Sequence, residues 1–142
     1  MNLQEVRTEP LSIDQLQQTV SEMTELLRST GHEHVSVTYG WGCKLSVNEL
    51  WHPVKIDTAQ LGAFIQTSIQ EGIFEFGHGD LHVEDQEETL EFRLCHESDV
   101  HFGSDDPKLL ALVISLWKAR GLTLYVSPGP RKSAARKEWE QI

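Results

Sequence analysis

The sequence predicts one α+β domain, a mainly antiparallel sheet of about six strands with three helices packed against it. Three observations carry that expectation. Several short segments alternate apolar and polar residues at the period of a strand. Three longer segments repeat apolar residues at spacings of three and four. The strand-like segments also follow one another in runs rather than alternating with helices, which favours antiparallel pairing. At 142 residues the chain has the size of a single domain. It is long enough to bury roughly two-thirds of its unfolded surface, so its core needs no disulfide or metal. An apolar share of 39% with 24% charged residues excludes a disordered chain.

The first helix opens at Ser12, which forms a capping box with Gln15, while Leu11 and Leu16 form a hydrophobic staple across it. Ile13, Leu16, Val20, Met23 and Leu27 make its apolar stripe, and Gly31 suits the left-handed stop. Val35, Val37, Tyr39 and Trp41 then alternate with polar residues as a half-buried strand. Gly40 and Gly42 mark a turn, Lys44 to Trp51 is read as the returning strand, and Pro53 opens a connection. The second helix carries Leu61, Phe64, Ile65 and Ile69, with Asp57 and Gln60 as its capping pair, Ile56 and Leu61 as its staple and Gly72 as its end.

From Ile73 to Phe102 the pattern is an antiparallel meander. Leu81 and Val83 face inward opposite Leu90, Phe92 and Leu94, and the four residues Asp85 to Glu88 form the loop. That loop length pairs Asp80 with Arg93 and His82 with Glu91. Asp106 and Pro107 start the third helix, whose stripe is Leu110, Val113, Ile114 and Trp117, and Gly121 stops it. Leu122, Leu124 and Val126 form a last strand before Ser127-Pro128-Gly129-Pro130 breaks it. The domain is therefore expected over 1–130, with 131–142 a polar, basic tail whose Trp139 is exposed.

Composition narrows function by exclusion. The formal charge is −10, and from Glu75 to Asp106 eleven acids face one base, Arg93. Nucleic-acid binding is excluded, because phosphate contacts need clustered Lys and Arg. The longest apolar run, Leu109 to Trp117, is far short of the roughly 20 residues that cross a bilayer. The polar N-terminus lacks the basic start and apolar stretch of a signal peptide, and Cys43 and Cys95 read as free thiols. A cytoplasmic location is the expectation.

Catalytic patterns are sparse. Cys43 beside Lys44 is the better-placed thiol, since a neighbouring cation lowers a thiol pKa, whereas Cys95 and His96 leave opposite faces of a strand. His78, Asp80, His82 and His101 have metal-ligand chemistry, which makes a metal-dependent hydrolase the competing class. The same residues also fill the polar half of a hairpin, as any solvated face requires, so neither a metal nor a cofactor is expected. A small-ligand sensor with a pocket between sheet and helices is a third class. The preferred expectation is a non-enzymatic binding protein that docks a basic protein partner, with an immunity- or antitoxin-like protein as one concrete version. The partner-binding residues would be Glu84, Asp85, Glu87, Glu88, Glu91, Glu97 and Asp99.

Overall fold

A computed structural model describes residues 3–127 and 138–142. Strand β1 (Gln4–Thr8) precedes helix α1 (Ile13–Ser29) and strands β2 (His34–Tyr39) and β3 (Val54–Asp57). A 3-10 turn over 58–60 leads into α2 (Leu61–Gln70), followed by β4 (Leu81–Glu84), β5 (Leu90–Leu94) and β6 (Val100–Ser104). Helix α3 (Pro107–Ala119), β7 (Leu124–Val126) and β8 (Glu140–Gln141) complete the order. All strands join one sheet, β3-β2-β4-β5-β6-β1-β7-β8, and every neighbouring pair is antiparallel. The α+β class and the three helices are as the sequence predicts, with eight strands rather than about six.

The two additional strands are polar at both ends of the chain. In β1 the fully buried apolar residue is Val6, flanked by Glu5 and Arg7, so the alternation is too short to read. It nevertheless lies inside the sheet, between β6 and β7. Strand β8 is two residues long and pairs Tyr125 with Gln141 and Val126 with Glu140. Residues 138–142 are thus tied to the sheet rather than free of it. The Pro128-Gly129-Pro130 break and 131–137 lie outside the described residues.

Helix caps follow the sequence closely, with one exception. Ser12 accepts from the Gln15 amide and Gln15 returns the bond to the Ser12 amide. Asp106 caps α3 by accepting from Lys108 N. Asp57, by contrast, makes no cap bond, because its carboxylate is held 2.9 Å from His34 Nδ1 on the adjacent strand. The expected return strand Lys44 to Trp51 is instead a series of turns, and the strand falls at β3. A left-handed backbone at Trp51, φ 68°, breaks any extended run there.

One face of the sheet is the core. Val6, Val35, Val37, Leu81, Val83, Phe92 and Phe102 meet Leu16, Met23 and Leu27 of α1, Ile65 of α2 and Trp117 of α3. Each such side chain contributes about 1.5–3 kcal/mol on burial. Ile13 lies outside this packing, on the exposed side of α1. Among the described residues all three helices cover this face, so the outward-pointing residues of the strands form a second face that no described helix covers. Among the described residues no helix is long and apolar enough to cross a membrane.

Candidate functional site

The helix-free face is polar, and strand register arranges it in two rows. One row runs Thr38, His82, Arg93, His101, Arg7, Tyr125 and Gln141 across seven neighbouring strands. The next runs Ser36, Glu84, Glu91, Gly103 and Glu5. Neighbours in a row sit directly opposite one another, close enough for charges to pair or repel. The expected pairing of Asp80 with Arg93 is corrected by this register, while His82 lies opposite Arg93 and meets Glu91 on the diagonal at 3.1 Å. The β4–β5 hairpin is displaced by two residues, which keeps every side chain on its predicted face.

The cause of the displacement is Asp85. Its carboxylate accepts from Thr89 N at 2.7 Å, from Leu90 N at 3.1 Å and from the Thr89 hydroxyl. Those three bonds close the loop between β4 and β5 on itself. Asp85 is 3% exposed, so the expectation that it lies wet in the loop is corrected. Asp80 meanwhile accepts from both the amide and Nδ1 of His96, each at 2.8 Å.

Toward β1 and β7 the charged groups of the face contact one another, although Arg7 Nε and Arg93 Nε are buried without a partner among the described residues. Arg93 lies 3.7 Å from Glu91 and 4.0 Å from Glu5, and its Nη2 contacts His101 Nδ1 at 2.9 Å. A guanidinium can only donate, so His101 Nδ1 accepts and Nε2 donates to Asp99 at 2.8 Å. Asp99, expected among the partner-binding acids, is 3% exposed and buried in a pair. Burial acts to raise the Glu91 carboxyl, but the His82 hydrogen bond and the charge of Arg93 outweigh it and hold it below its usual range. Arg7, 6% exposed, lies between the rings of Tyr125 at 4.3 Å and Trp139 at 5.2 Å. Trp139 also meets His101 edge-on, so it covers this end of the face rather than standing exposed.

The residues with metal-ligand chemistry do not converge. His78 stands apart beside Glu75, and His82 is committed to Glu91. Among the described residues, the one group whose ligand atoms approach within 4.8 Å is Cys95, Asp99 and His101. Arg93 already supplies positive charge there, and its hydrogen bond to Nδ1 opposes a metal on Nε2. The thiols are held protonated. Burial pushes Cys95 up to about 12 and Cys43 up to about 11, which removes Cys43 as a nucleophile despite Lys44.

The opposite end of the face is open. Ser36, Thr38, Trp51, His82, Glu84 and Glu88 line a groove of about 450 Å³. Trp51 is 58% exposed, and its left-handed backbone is fixed by a bond from its amide to Tyr39 O at 2.9 Å. A bulky residue in that conformation stores about 1–2 kcal/mol of strain. Gly40 makes room for the ring, since a Cβ there would meet Trp51 at 3.0 Å and His82 Nε2 at 3.1 Å. Glu84 makes no hydrogen bond or ion pair among the described residues. Burial, and then repulsion from Glu91, Glu88 and Asp85, raises its carboxyl above the usual range.

Compared with known families, curated proteins and solved structures, the chain has no significant match.

The seven predicted binding acids therefore divide. Asp85, Glu91 and Asp99 are committed to partners inside the fold, while Glu97 lies beside His96 at 3.7 Å. Glu84 and Glu88 remain beside Trp51 in the groove, and Glu87 lies in the same hairpin loop beside His32 and His34. Trp41, also exposed, meets the His96 ring at a tilt of 48° with centroids 4.5 Å apart. What the sequence conceals is the juxtaposition, because Trp51 reaches Glu84 only through an irregular connection of strained backbone.

Proposed function

We propose that this chain is a non-enzymatic binding protein that docks a basic protein partner, an immunity- or antitoxin-like protein being one concrete version. The observation that carries the reading is the Glu84 carboxylate, unpaired among the described residues, in one groove with the exposed ring of Trp51. A carboxylate that is partly desolvated and surrounded by like charge gains most from an incoming cation. An exposed aromatic ring gives that cation a surface to rest on.

Two features support the same end of the molecule. Trp41, Val47, Trp51 and Val54, all in or beside one connection, are large apolar residues left exposed. The net charge of −10 steers a basic protein toward the surface and favours fast association. The partner, once isolated with the wild-type protein, provides the test. Trp51→Gly should weaken its affinity at least tenfold while the protein stays folded. An unchanged affinity would remove the groove from the interface.

A further inference from the structure

The groove at the hairpin end has a chemistry more specific than negative charge. Its lining residues carry carboxylates and no lysine or arginine. Glu84 has no hydrogen-bond partner among the described residues. His82 donates through Nδ1 to Glu91 at 3.1 Å, so in the neutral ring Nε2 is a bare lone pair, and that atom is buried without a partner. Ser36 and Thr38 add hydroxyl oxygens along the neighbouring strand, and Glu88 adds a second carboxylate at the rim. The Trp51 ring lies over His82, with centroids 5.8 Å apart, and leaves much of its indole to solvent.

From this arrangement we infer that the groove receives an arginine side chain of the basic partner, stacked on Trp51 and hydrogen-bonded to Glu84. The inference rests on the reading of the chain as a basic-protein binder, and adds which side chain it selects. A guanidinium is planar, so its face matches the indole, and it presents five N–H donors in a fixed fork that suits several acceptors at once. A lysine ammonium is compact and strongly hydrated, with neither the flat face nor the fork. The rest of the face argues for the same selection by example. At its other end Arg7 lies between two aromatic rings, and Arg93 is shared by Glu91, Glu5 and His101. The hairpin end repeats those acceptors and that aromatic surface without supplying its own arginine.

Capped tripeptides Gly-Arg-Gly, Gly-Lys-Gly and Gly-citrulline-Gly are the probes, followed through the indole N–H resonances of the wild-type protein. Trp51 is assigned with the Trp51→Phe variant, and the buried Trp117 reports an intact fold. The arginine peptide should shift Trp51 with a dissociation constant at least fivefold below that of the lysine peptide, and citrulline should give no shift. Glu84→Gln should weaken the arginine peptide at least fivefold without moving Trp117. Equal affinity for arginine and lysine would overturn the arginine assignment while leaving a basic partner standing. Arginine binding that survives in Glu84→Gln would overturn the placement. If no cationic peptide moves Trp51, both the assignment and the choice of this groove as the docking site fail.

Discussion

The two ends of the helix-free face are built from the same residue types and treat them in opposite ways. At the β1–β7 end Arg93, His101 and Asp99 are joined by hydrogen bonds and Arg7 lies against the Tyr125 and Trp139 rings, with Arg7 Nε and Arg93 Nε left without a partner among the described residues. At the hairpin end Glu84 is unpaired and Trp51 is exposed. Buried polar groups that satisfy one another specify a structure. Half-buried groups left without partners mark where something else completes them. The contrast is sharpest between Glu84 and Glu91, which sit directly opposite each other on β4 and β5. One carboxyl is raised and the other lowered.

The largest effect should come from breaking a committed acid. Asp85→Ala removes three hydrogen bonds to a buried carboxylate and strands two amides, so urea unfolding should register a loss of about 2–4 kcal/mol. A loss under about 1 kcal/mol would return Asp85 to the category of wet loop acids. Next is Trp139→Ala. The sequence alone predicts that removing 131–142 costs under about 1 kcal/mol, as for a tail held by surface charge. Because Trp139 covers Arg7 and His101, thermal unfolding of the substituted protein should show a loss of about 1–2 kcal/mol.

The pH dependence separates the opposed glutamates. Glu84, with its carboxyl raised in the folded state, binds a proton more readily folded than unfolded, so its contribution to stability falls as pH rises from near 4.5 through the folded value. Glu91 has the reverse sign. Its contribution is present above 4.5 and is lost as pH falls through its lower folded value. Glu84→Gln should therefore be neutral or stabilising by a few tenths of a kcal/mol at pH 7, after allowance for solvent screening. Glu91→Gln should destabilise at pH 7 and lose that penalty in acid. Denaturant midpoints from pH 3 to 7 would expose the two signs, and a Glu84→Gln variant destabilised at pH 7 would show a hidden partner for that carboxylate.

The fold was legible where a local rule suffices. Ser12 with Gln15, Asp106 with Pro107 and the alternation through Leu81, Val83, Phe92 and Leu94 each depend on a few neighbouring residues. Strand β1 was illegible because a single buried valine carries no period. The hairpin register was missed because one side chain, Asp85, holds the amides of Thr89 and Leu90 and so lengthens the loop. The acids of the site were all named, but charge counting cannot separate Glu84 from Glu91. Only the placement of Arg93 and His82 across the strands decides which carboxylate is already spoken for.

The measurement that tests the account most directly is the association rate of the basic partner with Glu84→Gln/Glu87→Gln/Glu88→Gln. These three acids are replaced because none of them supports the hairpin, unlike Asp85 and Glu91. Charge steering acts on association and fades as the Debye length shrinks to about 3 Å near 1 M salt. The triple variant should associate several-fold more slowly than the wild type at low salt, and the two rates should converge near 1 M. An unaltered rate at low salt would contradict the claim that the hairpin end is where a basic protein docks.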